Sequence, residues 1–326
     1  MDIAAEVLRA EERIRPYVRE TPVERSAHLS NLAGGEAYLK LEHLQHTGSF
    51  KLRGATNKIL SLTDEQLKRG VIAASTGNHG MAVSYAARQK GTEATIYMAK
   101  GAAQAKIEII RSLGGNTVFY GDNPVDAEVK ARKVAEEQGR VFISPYNDPL
   151  VIGGQGTIGV ELHRQLPHVD AVFVAVGGGG LISGIAAHLK SQNPHVKVIA
   201  CWPENSRVMY ESMKAGHAVE FPEQPTISDS TAGGIEDGAI TIPLCSSLVD
   251  NCILVSESEI LSAMRLILEK ERWLVEGAAA VPVAAYLKQK AEWEGKTVVM
   301  ILCGRNIPPE KARKMFQDEP AAGKTN

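Results

Sequence analysis

Four consecutive glycines, Gly177–Gly180, follow the apolar segment Ala171–Val176 and lead into a helical stretch, Leu181–Ser191. A backbone without Cβ atoms can approach an anion closely. The helix that follows adds unpaired N–H groups and the positive end of its dipole. The segment therefore has the makings of a phosphate cradle, the alternative being a tight strand-to-helix turn that binds nothing. It departs from the dinucleotide fingerprint G-x-G-x-x-G, and the stretch about 20 positions on, Asn193-Pro-His-Val-Lys-Val-Ile-Ala-Cys-Trp202, holds no acid for a ribose. No Gly-Lys-Ser/Thr follows, which excludes a Walker loop.

Desolvation lowers the pKa of a lysine and makes it a nucleophile toward aldehydes. Thr47-Gly-Ser-Phe-Lys-Leu-Arg-Gly54 sets Lys51 among small and apolar residues, with Phe50 beside it as a flat packing face. Taken alone, the segment also fits a surface lysine with a buried stem, and nothing in it separates Lys51 from the other lysines. Ser75-Thr-Gly-Asn-His-Gly80 gathers hydroxyls, an amide and an imidazole just after the strand-like Val71–Ala74. Such a loop presents several donors to one anion, a carboxylate for instance. The other reading is a helix start capped by Ser75 or Thr76. Cys303, in Leu302-Cys-Gly-Arg-Asn306, follows the strand-like Thr297–Ile301 and is either a group at the same crevice or a small buried apolar side chain. Nine histidines show no metal-ligand spacing, and no H-E-x-x-H, G-x-S-x-G or EF-hand loop occurs.

These segments sit where strands hand over to helices. Strands are expected at Ala37–Leu41, Val71–Ala74, Ala94–Met98, Asn116–Tyr120, Val141–Ile143, Ala171–Val176, Val196–Cys201 and Thr297–Ile301, alternating with amphipathic stretches such as Met81–Lys90, Ala105–Ser112 and Val125–Glu137. That alternation predicts the α/β class with parallel sheets, where ligands bind beyond the carboxyl ends of strands. A chain of 326 residues suggests two lobes, a larger one over 1–66 and 148–326 and a smaller one over 67–147 that could close on a substrate. With 36 Lys+Arg against 38 Asp+Glu the net charge is −2, and no basic or acidic block points to nucleic acid or a membrane surface. The N-terminal stretch is charged and helical in pattern, without the apolar core of a secretory signal, and no apolar run is long enough to span a bilayer. Four cysteines at 201, 245, 252 and 303 form no C-x-x-C pair, which argues against structural zinc or a disulfide framework and fits a reducing cytoplasm. The tail Asp318–Asn326 reads as frayed.

Five segments in order, Ser49-Phe-Lys-Leu-Arg-Gly54, Ser75–Gly80, Gly153-Gly-Gln-Gly-Thr157, Gly177–Leu181 and Cys303-Gly304, span nearly the whole chain. Together they resemble the fold-type II family of pyridoxal 5′-phosphate (PLP) enzymes, with its tryptophan synthase β-like fold, in the threonine/serine dehydratase and serine racemase branch. The resemblance implies that Lys51 joins PLP as a Schiff base and later shuttles the Cα proton. Phe50 would back the pyridine ring, Asn78 would bond its phenolic oxygen, Gly177, Gly178, Gly179 and Gly180 would bind the phosphate, and Cys303 would meet the ring nitrogen. Ser75, Thr76 and His79 would lie in the loop that grips the substrate carboxylate. Thr76 stands where racemases carry their opposite-face serine. Asn147 matches a family position near the cofactor and substrate.

The implied reaction is dehydration of a small β-hydroxy amino acid, L-threonine or L-serine, to a 2-oxo acid and ammonia, with a homodimer as the working form. Departures narrow this. The positions of the branch's metal-binding Glu and Asp look like Trp202 and Val208, so no metal is expected, and Glu204 alone is a weak ligand. The family's Ala-Asp-Gly reads Ser228-Asp-Ser230, which leaves substrate identity open between threonine, 3-hydroxyaspartate and phenylserine, with serine racemisation as a side activity. Pro203–Ser206 and Ser230–Glu236 are similar to dehydratases of hydroxyectoine utilisation, and no C-terminal regulatory extension suggests isoleucine feedback. Rival readings are a β-replacement synthase of the same fold, whose Lys-Asp-Arg pattern Lys51-Leu52-Arg53 does not match, and a non-catalytic amino-acid- or nucleotide-binding module.

Overall fold

The computed structural model describes residues 2–316, so the tail Asp318–Asn326 lies outside the described residues. Ten strands are found there: β1 (Val23–Arg25), β2 (Glu36–Lys40), β3 (Val71–Ala74), β4 (Ala94–Met98), β5 (Gly115–Phe119), β6 (Val141–Phe142), β7 (Ala171–Ala175), β8 (Lys197–Pro203), β9 (Asn251–Val255) and β10 (Thr297–Ile301). They build a six-stranded sheet, β1-β2-β10-β7-β8-β9, and a four-stranded sheet, β5-β4-β3-β6. Pairing is parallel except between β1 and β2. Every residue of β4 and of β7 is buried, as parallel strands covered by helices on both faces require.

All eight expected strands appear, with ends displaced by a residue or two. The pairs Trp202↔Leu254 and Pro203↔Val255 carry β8 past Cys201. Two strands were not anticipated. β1 is three residues, Val-Glu-Arg, with no apolar run of its own, and exists because it pairs with β2. β9 alternates buried and half-buried positions at the sheet edge. Among the described residues no helix is long and apolar enough to cross a membrane.

The helix Lys51–Leu60 ties the two sheets together. Its Leu52, Ala55 and Ile59 join Val71, Ala73, Ala94, Ile96 and Met98 in the core of the smaller sheet. Its opposite side lies against the helix Pro149–Gln165. Glycines make that contact close. A Cβ on Gly154 would fall 2.6 Å from the Arg53 carbonyl oxygen, and one on Gly156 would fall 2.8 Å from the carbonyl oxygen of Gly184 on the next helix over, Gly180–Gln192. The Gly153–Thr157 motif is thus explained by close helix packing.

Beneath this crossing lies a fully buried ion network. Arg53 bonds Glu42 at 2.8 Å and Glu161 at 2.7 Å, and Lys40 bonds Glu161 at 2.6 Å; all four side chains have no exposure. Lys40 also donates to the Thr21 carbonyl (2.7 Å) and to Gln165 Oε1 (2.9 Å). Two cations face two anions, and burial makes each dependent on the others. Arg53, Lys40 and their neighbours hold Glu161 well below the usual carboxylate range against the opposing effect of burial. Glu161→Gln leaves a buried cation without its counter-charge, and a loss of about 3–5 kcal/mol in urea unfolding is expected.

Candidate active site

A cavity of about 370 Å³ opens at the carboxyl ends of the strands, between the two sheets. Phe50, Lys51, Ser75, Thr76, Asn78, His79, Gly177–Gly179 and Cys303 all line it, which brings together segments far apart in the chain. The helices Lys51–Leu60, Asn78–Lys90, Gln104–Ser112, Gly180–Gln192 and Gly277–Lys288 begin at this cavity, and none has a side-chain N-cap. Away from it, the helices starting at Ile3, Ala27, Asp64, Pro124, Pro149 and Glu257 are capped by Asp2, Ser26, Thr63, Asn123, Asp148 and Ser256, while those starting at Val208 and Thr241 are not. Uncapped ends leave N–H groups and positive dipole ends for a ligand, so the cavity is built for anions.

The glycine loop is shaped to stay open. Gly179 has φ +82°, a conformation that favours glycine, and caps Gly180–Gln192 without a side chain. A Cβ on Gly178 would fall 2.3 Å from Tyr146 Cγ, and one on Gly177 would fall 3.1 Å from the Thr231 carbonyl oxygen. Ser75 and Thr76 do not cap the next helix as the alternative reading supposed. Its N-cap is Gly77, and Ser75 Oγ accepts from the Gly77 N–H at 3.1 Å. The helix starts at Asn78, three residues before Met81, because no capping side chain marks its true beginning.

Lys51 Nζ donates to the Pro145 carbonyl at 2.8 Å and stands 5.3 Å from the centre of the Phe50 ring. Burial pulls its pKa down to about 8, with Cys303 and Glu276 acting in the opposite direction. Cys303 is joined to the same segment, since the Phe50 N–H donates to its carbonyl at 3.0 Å. Burial, and then Glu276, hold its thiol well above the ordinary value.

Two of the expected residues have main-chain partners within the protein. His79 lines the cavity, but its Nε2 lies 2.8 Å from the Ile143 carbonyl. Burial, then nearby Lys51, push its pKa down to about 3, so the ring is neutral and donates there. Asn147, matched by resemblance to a position near the cofactor, has a partner of its own within the protein. It is absent from the cavity wall, and its Oδ1 accepts from the Ile240 N–H at 2.9 Å, which fastens the start of the helix Thr241–Leu248.

One residue was missed. Glu276 is buried in the cavity wall and accepts from Asn78 Nδ2 with both oxygens, at 2.9 and 3.1 Å. Burial pushes its carboxyl up to about 7 against the hydrogen bond from Asn78. Its signal was a lone acid between apolar Leu274-Val275 and the small-residue run Gly277–Ala280. Trp202 and Val208 are buried, and Glu204 faces Lys288 at 3.7 Å. No group of three or more His, Cys, Asp or Glu among the described residues could hold a metal ion.

The family model described as pyridoxal-phosphate dependent enzyme matches residues 14–304. The chain belongs to this family. PLP is therefore the group for which the cavity's residues are to be judged, and they fit it: an amine of lowered pKa, an open glycine cradle and an aromatic ring share one space. The chain is 44% identical to an L-threonine ammonia-lyase of Thermotoga maritima over 93% of its length and 75% of that protein's. Among solved structures it is similar to maize serine racemase (TM-score 0.90, 34% identity, 96% of each chain). It is also similar to the processed form of threonine deaminase isoform 2 from Solanum lycopersicum (TM-score 0.91, 35% identity, 96% of this chain and 91% of that one). These likenesses establish the PLP fold-type II architecture expected from the motifs.

The depressed Lys51 pKa makes a kinetic prediction. Only the neutral amine attacks an aldehyde, so the rate at which PLP-free protein takes up PLP should climb with pH through about 8. An ordinary lysine would keep climbing toward about 10.4. Uptake followed by visible absorbance at a series of pH values distinguishes the two.

Proposed function

We propose that this protein is an ammonia-lyase that dehydrates a small β-hydroxy amino acid, L-threonine foremost and L-serine beside it, to a 2-oxo acid and ammonia. The observation that carries the reading is Lys51, an amine held near pKa 8 in a cavity walled by uncapped helix ends. The name of the Thermotoga maritima relative supports the same substrate class.

In this reading Gly177, Gly178, Gly179 and Gly180 hold the phosphate of PLP, Phe50 packs against its ring, Asn78 bonds its phenolic oxygen and Cys303 faces its ring nitrogen. When bound, PLP supplies an electron sink that weakens the Cα–H bond of an amino acid. Lys51 takes that proton, which its near-neutral pKa allows at physiological pH. Ser75, Thr76 and the uncapped N–H groups in the first turn of the helix Asn78–Lys90 hold the substrate carboxylate. The Cys303 thiol, reluctant to ionise, is a weak hydrogen-bonding partner rather than an acid. It leaves the ring nitrogen without a full proton, which favours loss of the β-hydroxyl over transamination. Water leaves across Cα–Cβ, the released enamine takes up water, and ammonia departs, so no further reactant is needed.

The lobe spanning 67–147 closes over the substrate in this scheme, excluding water from the reacting atoms. A contact able to follow that motion is Arg132–Glu236, 2.9 Å apart, at the mouth where the cavity continues toward Val125 and Val129. A homodimer in a reducing cytoplasm completes the reading, in keeping with four unbridged thiols.

The test is a panel of L-threonine, L-serine, L-threo-3-hydroxyaspartate, L-threo-phenylserine and the D-isomers, scored by 2-oxo acid release from PLP-loaded protein. Release fastest from L-threonine is expected; PLP bound but no release from any substrate would remove the assignment. Lys51→Ala should lose both the visible absorption band and turnover, and retention of either moves the cofactor lysine elsewhere.

A further inference from the structure

The amide of Asn78 is held from both ends. Asn306 Nδ2 donates to the Thr47 carbonyl at 2.9 Å and to Asn78 Oδ1 at 2.6 Å, so both its hydrogens are engaged. A main-chain carbonyl cannot change places with a donor, so Asn306 must present its NH₂ group to both partners. The end of Asn78 that meets it must therefore be the oxygen. Asn78 Nδ2 is then committed to the other side, where both Glu276 oxygens accept it. The two oxygens of one carboxylate lie in the same direction from Nδ2 and share one of its hydrogens. The second hydrogen is left for a ligand oxygen in the cavity that Asn78 lines.

The chain has made room for this acid. A Cβ on Gly304 would fall 2.6 Å from Glu276 Oε1, and the Glu276 N–H donates to the Gly304 carbonyl at 3.2 Å. The glycine after Cys303 thus admits the carboxylate. Asp229, which also faces Glu276, is drawn off by Lys311 at 3.1 Å. An acceptor is present at Glu276 in either protonation state, because even a neutral carboxyl keeps one carbonyl oxygen.

We propose that Glu276 is a positioning residue for this reaction: with Asn306 and the Thr47 carbonyl it fixes the Asn78 amide so that an N–H, not a carbonyl, faces the cofactor's phenolic oxygen. The proposal rests on the reading that Lys51 holds PLP in this cavity. A donor at that oxygen stabilises its ionised form, and a carbonyl there disfavours it. The consequence is spectroscopic. Bound PLP with an ionised ring oxygen absorbs in the visible, and with a protonated one it absorbs in the near ultraviolet.

The experiment compares PLP-loaded parent, Glu276→Leu, Glu276→Gln and Asn306→Ala by absorption spectrum, PLP affinity and steady-state kinetics. Glu276→Leu removes the acceptor and should transfer absorbance from the visible to the near-ultraviolet band. It should also lower kcat about a hundredfold, with KM changed only a few-fold, since the substrate is still held by the Ser75–Gly80 loop. Glu276→Gln keeps an acceptor and should restore most of the visible band. Asn306→Ala releases the other end of the amide and should move the band in the same direction as Glu276→Leu, which keeps the proposal testable if the leucine variant fails to fold. An unchanged band ratio in Asn306→Ala, or in a folded Glu276→Leu, overturns it. A parent protein with no visible band on adding PLP would instead overturn the reading of Lys51.

Discussion

The buried charges around Arg53 are the constraint on which the site depends. Arg53 stands two residues after Lys51 and is clamped by Glu42 and Glu161, while Lys40 anchors Glu161 from the adjoining strand. The helix that carries the reactive amine is thereby locked to β2, to the turn after it and to the helix Pro149–Gln165. A hydrophobic contact could supply similar stability but not the same registry. Ion pairs with no exposure are satisfied in one arrangement only, and a shift of the helix would strand charge in a medium that cannot solvate it.

On that fixed base the cavity is assembled from loops at strand ends. The smaller sheet brings Ser75–His79, and the larger brings the glycine cradle and Cys303. Specificity then follows from modest differences in a few groups. Cys303 lines the cavity with a thiol held well above its ordinary pKa by burial, so it enters the site as a neutral group rather than as a charge. Asp229, Ser230 and Thr231 form another part of the cavity wall.

Much of this is legible in the sequence. Apolar runs such as Ala171–Val176 and Ala94–Met98 announce buried parallel strands by composition alone, and the glycines after Val176 mark a turn that must approach something closely. What escaped was whatever depends on contacts distant in sequence. Arg53 and Lys40 carry charges that a local pattern assigns to the surface, and only the meeting of three elements turns them inward. Glu276 is an isolated acid whose partner Asn78 lies 198 positions away. The start at Asn78 carries no sequence signal because the usual capping side chain is missing where that end faces the cavity. The bond from the Ile240 N–H to Asn147 Oδ1 likewise joins positions 93 apart, which no local pattern announces.

The convergence of uncapped helix ends bears on the protein's life in a cell. Five helix starts without a side-chain N-cap meet at one cavity, and an anion bound there offsets their positive dipole ends. A ligand that binds only the folded chain stabilises it by about 2.7 kcal/mol at a hundred times its Kd. The vitamin-derived cofactor is then more than a reagent. Protein loaded with PLP is expected to resist unfolding and proteolysis better than the empty protein.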